Sequence, residues 1–341
     1  MGEKKAEWLI DGLMPLGHKC MDVSPEGSFK TTFGAWLSVC IASGTPVFGR
    51  QVTQGGVIIE DEETPPDSLQ RILNRFAMGL GYELDDLPIY VSSMVGFRFN
   101  RRSEMKKLLK KVDFIEPVFI RMDSMISMLP GGRESLSEND SSIGVVLKDD
   151  LNTLIQGRSL SSMLAVHSKK FIGTTPVQEV AAMPIQTIAR GHGSIIGEGC
   201  DTGYLTILVS EAPPTRFCLV TKPRRSPAPD RLNMLIELKE ERYREGWARL
   251  EEVSFEKLPP SSHAKEIFKL FTVPDGRGSY NHSSSWIART CAFLTKWECR
   301  ESIEELLVRK AIVESGPQNY KENPSMWVDC SAEYIIDLVG K

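Results

Sequence analysis

Long apolar runs are missing from this 341-residue chain. None approaches the roughly 18 residues that a membrane-spanning helix needs. The opening MGEKKAEW also lacks the apolar core of a secretory signal. The expectation is a soluble, cytoplasmic protein with no membrane partner. Paired cysteines are missing too: the seven are odd in number and none fall in a C-x-x-C motif. That excludes a disulfide scaffold and a zinc module, and it fits a reducing compartment. His18, His192, His263 and His282 are scattered and make no metal-ligand spacing. An excess of positive charge is lacking as well. Lys and Arg number 41 against 45 Asp and Glu, a net charge of −4. No global basic field therefore advertises nucleic acid, which leaves only a local site. Internal repeats and long low-complexity tracts are absent; GGRESLSENDSS, residues 131–142, is the most disorder-prone internal stretch.

What is present looks like an ordinary globular protein, 41% hydrophobic, 25% charged and 8% aromatic. At about 150 residues per domain the length predicts roughly two domains. Apolar runs suited to strands fall at residues 19–23, 57–59, 89–91, 118–122 and 162–167, then at 204–209, 216–221 and 232–238. Helical patterns separate the first five. Phe33, Trp36, Leu37, Cys40 and Ile41 recur at helical spacing, with Gly44 as the stop. Leu69, Ile72, Leu73, Phe76 and Leu80 do the same after Pro66. Such alternation predicts an α/β fold, a mainly parallel sheet covered by helices on both faces. The later strands are closely spaced, as in an antiparallel extension, and residues 242–250 read as a hairpin. SFEKLPPSS then marks a linker, giving a core over 1–253, a linker over 254–263 and a second domain over 264–341. In that domain, helical patterns at 264–271, 284–290 and 296–309 precede apolar pairs at 312–313 and 327–328. Thr295 and Glu298 form a capping box for the third helix. Three small helices and a two-stranded wing predict a winged-helix-type domain.

The residues that carry chemistry begin at MDVSPEGSFKTTFGAWL, residues 21–37. A short strand runs into a turn, then Lys30-Thr31, then a helix. A phosphate-binding loop needs that layout: backbone N–H groups and the helix N-terminus cradle phosphates, Lys neutralises oxygens, and the hydroxyl takes Mg²⁺. The cradle would comprise Ser24, Pro25, Glu26, Gly27, Ser28, Phe29, Lys30, Thr31 and Thr32. The usual pattern is G-x-x-x-x-G-K-S/T, and Ser24 and Phe29 stand at both glycine positions. The segment also fits a plain capped helix after a turn. Strand 57–59 ends in Glu60-Asp61-Glu62-Glu63, where one acid could act as general base on water. A solvated acidic turn is the alternative. Residues 117–124, PVFIRMDS, form an apolar strand ending in Asp123, the Walker B form for an Mg²⁺ shell, though Arg121 is unusual in a buried strand. Strand 162–167 ends in His167, whose place after these elements favours a γ-phosphate sensor over a merely structural role. Met122, Met125 and Met128 read as core. MKKLLKK, residues 105–111, reads as a solvated helix face with Leu108 and Leu109 inward.

In this order the motifs resemble the RecA/DnaB superfamily, and most closely its RepA-like branch of hexameric plasmid and phage ATPases. Trp8-Leu9-Ile10-Asp11-Gly12-Leu13 resembles the branch's lead-in, S-F-K-T its accepted P-loop variant, and VIIEDEETPP its strand ending in E-D/S-P-P. The resemblance covers roughly residues 8–240. It implies a RecA-like P-loop core using ATP and Mg²⁺, with Glu63 as catalytic glutamate, Asp123 as Walker B acid and His167 as sensor. Thr221-Lys222-Pro223-Arg224 is similar to the K-x-R element of DnaB-like rings, in which Lys and Arg reach the neighbour's nucleotide. Arg190-Gly191-His192-Gly193-Ser194 resembles the branch's R-G-S/A motif, making Arg190 a second candidate finger. A surface basic turn is the alternative for KPRRSP. A trans-acting guanidinium stabilises charge on the transferring phosphoryl and requires a homo-oligomeric ring, by resemblance a hexamer.

Nucleic-acid contacts are expected from the loops at about 131–142 and 168–189. The second opens on Lys169-Lys170. The first carries Glu134, Glu138 and Asp140 against Arg133. In the second domain Lys296, Arg300, Arg309 and Lys310 could read a groove, or the domain could bind protein. The implied output is translocation or helicase action on single-stranded DNA in replication of a mobile element. One rival is an ATP-gated factor that loads or regulates a replication or repair partner without unwinding. The other is a DNA-binding module with an inactive P-loop.

Overall fold

The computed structural model describes residues 7–253, apart from 131–136, 171–179, 181–182, 211–214, 228–232 and 242–245. Beyond 253 it describes only Phe268, 282–283, Ile303, Leu306, 312–316 and 319–322. The chain divides into two compact units, Met1–Glu252 and Val253–Lys341. Among the described residues no helix is long and apolar enough to cross a membrane.

The first unit opens with a small antiparallel pair, β1 (Trp8–Ile10) and β2 (Met14–Pro15), at the lead-in motif, where the sequence pattern alone gave no strand. Then come β3 (Lys19–Ser24), α1 (Lys30–Ser43), β4 (Val57–Asp61), α2 (Pro66–Leu80) and β5 (Ile89–Ser93). Next are α3 (Arg102–Ile115), β6 (Phe119–Asp123), α4 (Ile143–Ile155) and β7 (Ser161–His167). A short helix α5 (Ile185–Ile188), another, α6 (Ser194–Gly199), and four strands follow: β8 (Thr202–Ser210), β9 (Arg216–Pro223), β10 (Asn233–Glu240) and β11 (Ala248–Val253). One nine-stranded sheet joins them in the order β11-β10-β9-β8-β3-β7-β6-β4-β5. From β8 to β5 the neighbours run parallel; β8, β9 and β10 pair antiparallel. Central β3 is buried at all six positions, as a parallel strand covered on both faces must be.

Two apolar layers flank the sheet. Leu108, Val112, Leu147 and Leu151 of α3 and α4 pack on one face. Phe33, Trp36, Leu37, Leu69, Leu73 and Phe76 of α1 and α2 pack on the other. For α1 the five residues read at helical spacing, Phe33, Trp36, Leu37, Cys40 and Ile41, are only part of the buried set. Ala35, Val39 and Ala42 are buried as well, so α1 is covered nearly all round. The antiparallel extension contributes to the same layer: Phe217 of β9 meets Phe33, and Met234, Ile236, Ala248 and Leu250 of β10 and β11 belong to it as well. A helix covered on every side has no reason to keep a polar stripe.

Register places the strand ends level. Ser24 sits opposite His167, and Asp61 sits opposite both Asp123 and Ser93. In the second unit the described strands are β12 (His282–Ser283), β13 (Ile312–Gly316) and β14 (Asn319–Glu322), an antiparallel sheet in the order β12-β14-β13. Ile312 and Val313 pair with Glu322 and Lys321 of β14. The expected helices at 264–271, 284–290 and 296–309 lie outside the described residues, apart from buried Phe268, Ile303 and Leu306. The expected return strand at 327–328 and the basic candidates Lys296, Arg300, Arg309 and Lys310 lie outside them too.

Candidate functional site

The loop between β3 and α1 turns through two left-handed residues. Gly27 takes φ 73° and Phe29 takes φ 68°. A left-handed conformation costs a non-glycine residue about 1–2 kcal/mol. Phe29 offsets this by stacking on Phe217 of β9, ring centroids 5.7 Å apart and planes 8° from parallel. Ser24, at the other glycine position, is fully buried and does work no glycine could. Its hydroxyl donates to Asp22 Oδ1 at 2.6 Å and accepts from the Thr206 amide at 2.7 Å and the Thr206 hydroxyl at 2.9 Å. Both departures from the glycine pattern are thus anchored to the sheet. Lys30 Nζ donates to the Ser24 and Pro25 carbonyls at 3.1 and 2.7 Å. Burial pushes its ammonium pKa down, opposed chiefly by Asp22 and Asp123.

Thr31 Oγ1, one residue along, donates to Asp123 Oδ2 at 3.0 Å, joining the first turn of α1 to the end of β6. Of the four acids at the end of β4 and just after it, three are held by structure. Glu60 is buried and pairs with the half-buried Lys111 of α3, whereas Lys106, Lys107 and Lys110 of that helix are exposed. Asp61 accepts the Glu63 and Thr64 amides at 2.8 and 2.6 Å and so fixes the turn. Burial and the neighbouring Asp123 raise its pKa, against those amides. Glu62 accepts from the Gly96 and Phe97 amides and pairs with Arg98 at 3.1 Å. Glu63 remains exposed, and its Oε2 lies 3.9 Å from His167 Nε2. The His167 side chain is only 11% exposed.

The ends of β3, β4, β6 and β7 thus converge on one cleft of about 300 Å³. Glu26, Gly27, Ser28, Phe29, Lys30, Thr31, Thr32, Glu63, Asp123 and His167 line it. Ser24 and Pro25 shape its floor through Lys30. Lys222, Arg224 and Arg190 are not among the lining residues of their own chain. Lys222 Nζ donates to the Met183 carbonyl at 2.9 Å, and Arg224 donates to the Ile196 and Cys200 carbonyls near the end of α6. Arg190 pairs with Glu138 at 2.7 Å, while its amide bonds the His167 carbonyl at 2.9 Å.

Sequence reasoning passed over Asp22 and noted Arg121 only as unusual in a buried strand. Asp22 is buried mid-strand behind Ser24, and Arg121, 2% exposed, lies between Asp22, Asp123 and α1. The signal was an Asp and an Arg inside apolar strands, each needing a charged partner when buried.

These groups fit a magnesium nucleotide. A hydroxyl and a carboxylate 3.0 Å apart can share the shell of an ion that keeps waters and phosphate oxygens. No group of three or more His, Cys, Asp or Glu that could hold a metal unaided occurs among the described residues. The AAA domain profile matches residues 3–170, just under half of the chain. Among solved structures, a KaiC-like protein from the hyperthermophilic archaeon Pyrococcus horikoshii OT3 is 17% identical, with a TM-score of 0.46. The alignment covers 72% of this chain and 94% of that one. None of the curated proteins matches. The loop after β3 and the acid ending β6 stand at the same edge of one mainly parallel α/β sheet, in the chain order loop, acid turn, Asp123, His167.

Proposed function

We propose that this chain hydrolyses ATP as a ring-forming RecA-like ATPase and couples the turnover to single-stranded DNA. The observation that carries the reading is the convergence of Lys30, Thr31, Asp123, Glu63 and His167 on one cleft from four strand ends. Lys30 exchanges its two carbonyl partners for phosphate oxygens when nucleotide enters. Thr31 and Asp123 would hold the Mg²⁺, which supplies charge neutralisation on the phosphates. Glu63 takes the proton of the attacking water, and His167 beside it contacts the γ-phosphate. Arg224 with Lys222, or Arg190, serves the neighbouring subunit's site. The guanidinium of each candidate is engaged within its own chain, so reaching a neighbour requires it to leave carbonyls or Glu138. The second unit is proposed as a winged-helix-type module, for which the described three-stranded sheet is support.

A specific observation favours a second reading, an ATP-gated assembly factor that does not unwind. The described part of the first loop is acidic, and its Glu138 already neutralises Arg190. Steady-state hydrolysis by wild type and Lys30→Ala, with and without single-stranded DNA, separates the cases. Turnover that needs Lys30 and rises with DNA supports the motor. Turnover that needs Lys30 and ignores DNA supports the assembly factor. Equal rates for both proteins remove the enzyme reading.

A further inference from the structure

The proposed roles leave one buried charge unexplained. Arg121 lies on β6 two residues before Asp123, where the sheet packs against α1, and its side chain is 3% exposed. Its Nη2 donates to Asp123 Oδ2 at 3.3 Å and to the Lys30 carbonyl at 3.3 Å, and it stands 4.0 Å from Asp22 Oδ2. Nη1 has no hydrogen-bond partner among the described residues, and neither has Asp22 Oδ2. Space for the guanidinium exists because residue 34 of α1 is glycine. A Cβ built there would lie 2.3 Å from Arg121 Nε.

Burying an arginine with an unsatisfied nitrogen is costly, and replacing such a group with a packed apolar residue is often neutral or stabilising. A purely structural account would pair Arg121 with Asp22, yet its closer contacts are elsewhere. Asp123 Oδ2 receives two donors, Thr31 from α1 and Arg121 from β6. Together they fix the plane of the carboxylate and leave Oδ1 for the cleft. We propose that Arg121 is a positioning residue for the metal subsite: it locks Asp123 and the first turn of α1 into one geometry. This inference rests on the ATPase reading above.

Removing the guanidinium has two effects of opposite sign on Mg²⁺. Loss of positive charge makes the subsite more anionic and strengthens cation binding. Loss of position weakens it, and outer partners of metal ligands are typically worth 10–100-fold in affinity. The sign therefore discriminates. The test is the free Mg²⁺ concentration at half-maximal binding of a fluorescent ADP analogue to the full chain, with the melting temperature measured alongside. Arg121→Leu is expected to raise that concentration about 10-fold or more. Arg121→Lys keeps the charge but loses the planar fork and is expected to share most of the rise. Asp22→Asn combined with Arg121→Leu removes both buried charges, so its melting temperature recovers while the raised Mg²⁺ requirement stays. A fall or no change in that requirement for the folded double variant overturns the proposal and leaves Arg121 as a counter-ion for Asp22. Absence of analogue binding by wild type at every Mg²⁺ concentration overturns the ATPase reading and this inference with it.

Discussion

The side chains proposed to act in the cleft are held by neighbours whose own polar groups are already engaged. Asp61 is the clearest case: it spends its carboxylate on two amides, and those amides belong to the turn bearing Glu63. Glu63→Gln should therefore keep fold and nucleotide affinity while lowering kcat by about 10²–10⁴, the usual worth of a general base. Single-turnover hydrolysis beside nucleotide binding checks both halves. Phe217 supports the loop from β9 and is fully buried. Phe217→Ala should cost about 3–5 kcal/mol of stability, read from denaturant midpoints. His18 gives the pH dependence. Burial holds its pKa below 6.5, Asp201 opposes this and Lys19 reinforces it. The folded state thus binds fewer protons than the unfolded chain below about pH 6.5, and stability falls as pH drops through that window. Denaturant midpoints at pH 7.5 and 5.5 should differ less for His18→Gln than for wild type.

The same dependence on neighbours recurs between elements. α2 starts just after Glu63 and ends against the β10–β11 hairpin. Arg75 donates to the Gly246 carbonyl at 3.0 Å and pairs with Glu240 at 2.8 Å, and Gly79 lies against Ala248. A Cβ on Gly79 would come within 2.0 Å of the Ala248 carbonyl oxygen. In an isolated helix Gly→Ala gains up to about 1 kcal/mol. At Gly79 the clash with backbone should reverse the sign and destabilise by about 1–3 kcal/mol, as overpacking does. Thermal melts of Gly79→Ala give the sign directly. Elements also show what the sequence could convey. Strand–helix alternation was legible because buried parallel strands read as continuous apolar runs: β3, β4, β6 and β7 fall where those runs do, and the exposed edge strand β5 falls on a shorter one. The full covering of α1 was not, since the apolar layer it joins includes β10 and β11, some two hundred residues away. Lys30, Thr31 and Asp123 stood out by spacing. Glu63 could not be told from its three acidic neighbours by composition, because only the partners Lys111, Arg98 and the turn amides separate them.

Across the whole molecule, the sites proposed to act in trans are the ones the single chain leaves outside its own cleft. Lys30→Ala and Arg224→Ala variants should each be inactive alone, and a mixture should regain turnover. In a mixed ring some interfaces combine an intact loop from one protein with an intact Arg224 from the other. Hydrolysis measured against mixing ratio checks this. Failure to regain activity, with Arg190→Ala restoring it in the same pairing, would move the role to Arg190.

The level strand ends carry a consequence for what the chain can tolerate. Ser24 with His167, and Asp61 with Asp123, occupy matching rungs of parallel ladders. Substitutions off those rungs alter packing but leave the reactive groups where they are. Adding or deleting one residue within β6 or β7 is a different event. It would move Asp123 or His167 by about 3.3 Å and turn it to the opposite face of the sheet. Sequence length inside these strands is therefore under tighter constraint than residue identity, whereas the loops between them are free to grow.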